Sequence, residues 1–178
     1  MEQDYLKDEL KALKMAIDYE KKIRSFYLKH SEKIKNNLAK KTFVFLADEE
    51  LKHIDAIKAF NKSIHDGEEP MIDSGTEDEA INRVKEFFSK GMEEAAKKAR
   101  ASENELKIYE LGLQMEQNGY DFYKQASEKA EHPNVKNLFE FLLKEENGHY
   151  ALLSNAISYF KNPDEYFESQ EGWFFEGG

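Results

Sequence analysis

EELKH at residues 49–53 and EENGH at residues 145–149 are the stretches whose reading decides the fold. They stand 96 residues apart (145 − 49 = 96), and the same offset brings their surroundings into register without a gap. Glu20, Phe26, Tyr27, Ser31, Glu32 and Lys33 match Glu116, Phe122, Tyr123, Ser127, Glu128 and Lys129. Phe43, Phe45, Leu46, Glu49, Glu50 and His53 match Phe139, Phe141, Leu142, Glu145, Glu146 and His149. Apolar residues recur at helical spacing through Leu13, Ile17, Ile23 and Tyr27, and again through Leu46, Ala47, Ile54 and Ile57 to about Ile64. Each half therefore reads as a helix hairpin, and the repeat makes the chain two hairpins.

Punctuation between the periodic segments sets the connections. HDGEEPMIDSGT at 65–76 is loop chemistry. Thr76 with Glu79 has capping-box spacing for a helix to about Arg100, and Ser102 with Glu105 has it for the third core helix. That helix runs to about Glu131, where His132-Pro133-Asn134 turns the chain into a fourth, and Asn162-Pro163 ends the fourth. Residues 65–101 form a partly helical crossover, and a helix of about 24 residues rises roughly 36 Å, enough to return the chain along the bundle. The expectation is an all-α, four-helix bundle in one domain, residues 1–162, followed by a short aromatic tail, residues 163–178, in which Trp173, Phe174 and Phe175 cover a bundle face or a subunit contact.

Composition narrows the chemistry. The chain has no cysteine, so any metal is held by oxygen and imidazole nitrogen rather than thiolate. Its formal charge, 26 − 36 = −10, disfavours binding to a phosphate backbone and suits attraction of cations. No apolar run is long enough to span a bilayer, and MEQDYLKDELK at the start lacks a signal-peptide core. The expected location is the cytoplasm, with no nucleic acid and no membrane as partner.

The repeated acids fall on inward faces. Glu50 and His53 share the stripe of Phe43, Leu46, Ala47, Ile54 and Ile57, and Glu146 and His149 share that of Leu142, Leu143, Leu153 and Ile157. Glu20 lies three residues from both Ile17 and Ile23 and seven before Tyr27, and Glu116 lies seven before Tyr123. Four carboxylates in a bundle core cost several kcal/mol each unless cations sit among them. Glu-x-x-His puts a carboxylate and an imidazole one turn apart, and two such helices plus one Glu from each of the other two give six ligands for a pair of metal ions. Glu49 and Glu145 point about 100° away and read as solvated or supporting acids. Tyr27 and Tyr123, on the inward stripe, are placed to hydrogen-bond a ligand carboxylate or to pack in the core. His30, His65 and His132, near helix ends, read as surface residues.

With Glu20 seven before Tyr27, EELKH, Glu116 seven before Tyr123 and EENGH, residues 5–160 resemble the rubrerythrin branch of the ferritin-like superfamily. The resemblance implies a ferritin-like bundle and two iron ions, with manganese or zinc as alternatives, held by Glu20, Glu50, His53, Glu116, Glu146 and His149. It implies an oxidoreductase, commonly a homodimer, that reduces hydrogen peroxide or oxygen; the alternatives are a ferroxidase or iron-handling protein and a non-enzymatic, metal-stabilised interaction module. Two departures stand out. A rubredoxin-type relay needs cysteines that this chain lacks, so the expected electron donor is a separate protein. Rubrerythrins proper carry an extra carboxylate on the third helix, where one turn either side of Glu116 this chain has Leu113 and Gly119.

Overall fold

A computed structural model describes residues 2–72, 75–94 and 100–169, with side chains over 8–72, 75–94 and 100–166. The described residues form six helices and no strand: α1 (Glu2–Ser31), α2 (Asn37–Asp66), α3 (Glu77–Glu94), α4 (Glu103–Lys129), α5 (Pro133–Lys161) and α6 (Pro163–Ser169). α1 packs on α2 and α4 on α5, while α1 meets α4 and α2 meets α5 across the bundle. The all-α, ferritin-like arrangement of two hairpins is as the repeat predicts. No described helix is long and apolar enough to cross a membrane.

Local chemistry sets the helix ends. The Asn36 side chain accepts from Ala39 N at 3.0 Å to start α2, and at the matching repeat position the His132 side chain accepts from Asn134 N to start α5. α2 ends on Gly67, whose φ of +71° is left-handed and lets the chain close back on Ile64 and Ser63. Thr76 with Glu79 and Ser102 with Glu105 both form reciprocal capping boxes.

Glu94 is the last described residue of α3, residues 95–99 lie outside the described residues, and Arg100 is not helical. The 18 described residues of α3 rise roughly 27 Å. It buries Ala80, Val84 and Phe88, mainly against α5. A Cβ added at Gly148 of α5 would meet Ala80 at 3.4 Å, so the two helices approach closely there.

Asn162-Pro163 ends α5 as the sequence predicts. Asn162 does cap α5, but Pro163 then opens α6, since a proline at a first helical position loses no hydrogen bond. Tyr166 is buried and packs edge-on to Tyr159. Trp173, Phe174 and Phe175 lie outside the described residues.

Two acids lock the hairpins together. On α4, Glu105 Oε1 accepts from Lys35 N at 2.7 Å and Asn36 N at 3.1 Å, in the α1–α2 turn. On α1, Glu9 Oε1 accepts from Glu131 N at 2.8 Å and His132 N at 2.9 Å, in the α4–α5 turn. Every member obeys the repeat offset (9 + 96 = 105; 35 + 96 = 131; 36 + 96 = 132), so each hairpin clasps the other's turn. Burial would raise the Glu105 carboxyl, but donors from Ser102, Asn36 and Lys35 hold it down at about 2. That depression stabilises the fold above the ordinary carboxylate range, and the contribution is lost as pH falls from about 4.5 towards 2. Glu105→Ala is expected to cost about 2 kcal/mol at neutral pH, from a lost cap and two charge-assisted bonds, and to flatten the stability profile across that acid window. Urea unfolding at pH 7 and pH 3.5 reads both; an equal loss at the two values contradicts the account.

The core is split. Ile23, Tyr27, Phe43, Leu46, Tyr109, Leu152 and Phe160 belong to one apolar cluster. Leu13, Ala16, Ile57, Phe60, Tyr123, Phe139 and Leu142 belong to another. On every one of α1, α2, α4 and α5 the chain passes from one cluster to the other through a buried polar residue: Glu20, then Glu50 and His53, then Glu116, then Glu146 and His149.

Candidate metal centre

All six of these residues are buried, at most 2% exposed, and they converge on one layer of the bundle. His53 Nδ1 lies 3.1 Å from Glu50 Oε2, and 3.7 Å from both Glu20 Oε1 and Glu146 Oε1. His149 Nδ1 lies 3.0 Å from Glu50 Oε1 and 3.6 Å from Glu116 Oε2. The two imidazoles stack with centroids 5.2 Å apart. Glu20, Glu50, His53 and Glu146 each offer one donor atom within 4.8 Å of the others, and so do Glu50, Glu116 and His149. Glu50 belongs to both groups.

The tyrosines bind across the repeat. Tyr27 Oη donates to Glu116 Oε1 and Tyr123 Oη donates to Glu20 Oε1, so each hairpin's phenol orients the other hairpin's carboxylate. Burial and the adjacent carboxylates hold both phenols far above the usual tyrosine range, so each remains a donor. Tyr19, on α1, donates instead to Met115 O at 2.7 Å.

Charge is unbalanced in this layer. Burial, then Glu50, raises Glu20 to about 8. Burial and the neighbouring carboxylates raise Glu146 well above its ordinary value. Burial alone would push His53 and His149 down, but their acid neighbours reverse that, raising His53 strongly and His149 to about 10. The same contacts outweigh burial at Glu50 and hold it far below the ordinary range. The layer thus keeps protons on groups that ordinarily would not hold them at neutral pH.

The donor set fits a pair of divalent cations. Glu20 Oε2, Glu116 Oε2, both oxygens of Glu50 and Glu146 and both ring nitrogens of His53 and His149 are buried without a hydrogen bond in the described structure. Buried polar atoms are ordinarily satisfied, so such a cluster of orphans on facing helices calls for a ligand. Four carboxylates and two neutral imidazoles carry the charge that two divalent ions cancel. Oxygen and imidazole donors admit iron, manganese or zinc.

Of the two readings of Glu49 and Glu145, solvated or supporting, the structure selects the supporting one. The two acids are 3% and 7% exposed, because α3 lays Arg83 over them. Arg83 Nε stands 3.0 Å from Glu49 Oε2 and its Nη2 pairs with Glu145 Oε2. Lys52 Nζ adds a contact to Glu49 at 2.5 Å. Glu145 Oε2 in turn lies 3.8 Å from His53 Nε2, on the ring edge opposite the carboxylate cluster. Burial would raise Glu145, but His53 and then Arg83 outweigh it and hold it at about 2. Arg83 was missed in the sequence, although it lies beside Val84 and three residues after Ala80 on the stripe that α3 buries. Beside this clamp, a cavity of about 360 Å³ runs from Met71, Ile72 and Phe60 to His53.

Leu113 and Gly119 supply no further ligand. A Cβ at Gly119 would come 3.0 Å from Glu146 Oε2, so the missing side chain is what leaves room for that carboxylate. His30, His65 and His132 stand away from the layer; His132 serves as the α5 cap.

A family model described as rubrerythrin matches residues 11–157, which contain all six donors, Tyr27, Tyr123 and Arg83. No curated protein and no solved structure matches the chain.

Proposed function

This chain belongs to the rubrerythrin family of ferritin-like di-iron carboxylate proteins, and on that premise we propose that it is an oxidoreductase reducing hydrogen peroxide or oxygen with electrons from an external donor. The observation that carries the reading is the layer of orphaned carboxylate and imidazole atoms between two apolar clusters. Glu20, Glu50, His53 and Glu146 would hold one ion and Glu50, Glu116 and His149 the other. Two bound iron ions supply the two electrons that the oxidant takes up.

The protein's part is positioning and proton control. Tyr27 and Tyr123 hold Glu116 and Glu20 in fixed orientations and keep an O–H proton at each of them. Glu145, tethered by Arg83, faces His53 Nε2 and sets that ring so that Nδ1 is turned to the carboxylates. The apolar clusters above and below exclude bulk water, and the cavity beside Arg83 gives a small oxidant a route as far as His53. No cysteine stands in these 178 residues, so electrons come from a carrier outside them, and the reading is of a homodimer served by such a carrier.

Iron-loaded, reduced protein mixed anaerobically with peroxide is expected to oxidise within the mixing experiment and to turn over repeatedly with a chemical reductant. A single slow oxidation rejects the proposal. Oxidation of ferrous iron as cargo is the second reading, favoured by the buried acids Glu49 and Glu145 lining the same cavity; release of ferric iron and growth of a mineral would select it.

A further inference from the structure

The repeat is symmetric inside the bundle and asymmetric outside it. On the outer face of the first hairpin, a groove of about 520 Å³ is lined by Lys21, Arg24, Lys29 and Lys58, with Leu51 and Ile54 among its apolar residues. Glu32 is the one acid in that lining. The residues at the 96-residue offset are Gln117, Tyr120, Gln125 and Ser154 for the four cations, and Asn147 and Tyr150 for the two apolar residues. Every metal-layer donor is repeated across the offset, whereas this basic and apolar character belongs to the first hairpin alone. It does so on a chain whose formal charge is −10.

The groove is also placed against the centre. Lys21 follows Glu20 in α1, Leu51 follows Glu50 and Ile54 follows His53 in α2. The groove lining therefore belongs to the same helical turns whose inner side carries Glu20, Glu50 and His53. The intervening wall is one helix thick, about 10 Å. Leu51 is 39% exposed, an unusual position for a leucine flanked by charges. Arg24 Nε is buried without a hydrogen bond among the described residues, a donor that an acceptor from outside can meet. α3 packs chiefly on α5, leaving this face of the first hairpin outside its main contact.

We infer that the α1–α2 groove is the docking surface for an acidic electron-carrier protein, whose surface carboxylates pair with Lys21, Arg24, Lys29 and Lys58 around an apolar contact on Leu51. The inference rests on the proposed oxidoreductase reading, in which two one-electron deliveries return the oxidised centre to its reduced state. Charge complementarity identifies the partner: four cations around an apolar floor would attract an acidic protein and orient it, while the rest of this acidic chain repels it elsewhere. A small, salt-sensitive contact is what a transient redox encounter requires, since it must release the carrier after each transfer.

The test uses a strongly acidic [2Fe–2S] ferredoxin as the probe. The dissociation constant of its oxidised form is measured by titration calorimetry against the oxidised iron-loaded chain, and the reduction rate of that chain is followed with both reduced ferredoxin and dithionite. K21E/K29E/K58E is expected to weaken ferredoxin binding and slow ferredoxin-driven reduction at least tenfold at low salt, with the dithionite rate unchanged. R24Q, which removes charge without reversing it, is expected to give a smaller loss of the same kind. Q117E/K124E/Q125E, on the matching face of the second hairpin, is the control and leaves both quantities as they were. Equal ferredoxin affinity in all four proteins overturns the docking assignment while the oxidoreductase reading stands. A groove that proves to be covered by a second copy of the chain in solution overturns it as well. Failure of dithionite-reduced protein to react with peroxide or oxygen instead removes the reading beneath it.

Discussion

Replacing Glu50 and Glu146 together by leucine is expected to abolish metal binding and, in the same protein, to raise the stability of the metal-free fold. Glu50 serves both donor groups, and Glu146 joins the first of them with both its oxygens unsatisfied. Without them neither ion keeps a full set of ligands, so metal content falls from two per chain to none. In the metal-free parent the same residues are a liability. Burial and like charge keep Glu146 protonated, and Glu50 is ionised only because it draws protons onto His149 and His53. With both acids gone each imidazole loses Glu50, while Glu145 and Glu20 still face His53 and Glu116 still faces His149, so the layer has two carboxylates fewer to hold apart. Swapping buried charged clusters for apolar groups of similar volume is neutral or stabilising by about 1–4 kcal/mol. At about 2–4 °C per kcal/mol for a chain of this size, the melting temperature in chelator is expected to rise by several degrees. The parent should melt higher with added metal, by an amount that grows with metal concentration, and the variant should not respond. A variant that is less stable than the metal-free parent, or that still carries metal by elemental analysis, contradicts the assignment of the layer.

What was legible in the sequence follows a physical division. The hairpins, the capping boxes at Thr76 and Ser102 and the six inward donors are properties of single helices and of one repeat, and periodicity reports both. Contacts between elements are reported less well. For Glu49 and Glu145 a single helix leaves solvated and supporting roles both open, and Arg83 arriving from the crossover helix decides between them. The phenols of Tyr27 and Tyr123 were placed on the right stripe, yet their acceptors are on the other hairpin, which a spacing of seven along one helix does not reveal. Glu9 and Glu105 did obey the visible offset, and each stands four residues before a buried residue of its own helix, Leu13 and Tyr109, but the amides they accept from are in the other hairpin's turn, which spacing along one helix does not reveal. The inner layer was therefore readable as a set of residues, and its supports became readable only once the helices were packed.

Metal affinity is expected to climb steeply with pH, by at least about a hundredfold per unit between pH 6 and 7 for loading both ions. The sign follows from the protons the layer holds. Glu20 is raised to about 8 and His149 to about 10, so both are protonated below pH 7, and both must be deprotonated to act as ligands. Each proton displaced contributes a factor of ten per pH unit to the apparent constant, and these two alone give a hundred. His53 and Glu146 are shifted in the same direction and steepen the dependence further. Ordinary carboxylates and histidines, at about 4.3 and 6.5, would be largely deprotonated by pH 7 and would make the curve shallow there. The dependence should flatten as pH rises through 8 and Glu20 loses its proton without metal. Calorimetric titration with zinc in two buffers of different ionisation enthalpy counts the protons directly, because zinc binds the same donors without redox chemistry. A release of fewer than two protons at pH 6.5 would mean that the buried layer is already ionised, and the close packing of four carboxylates around two imidazoles would then need another source of positive charge.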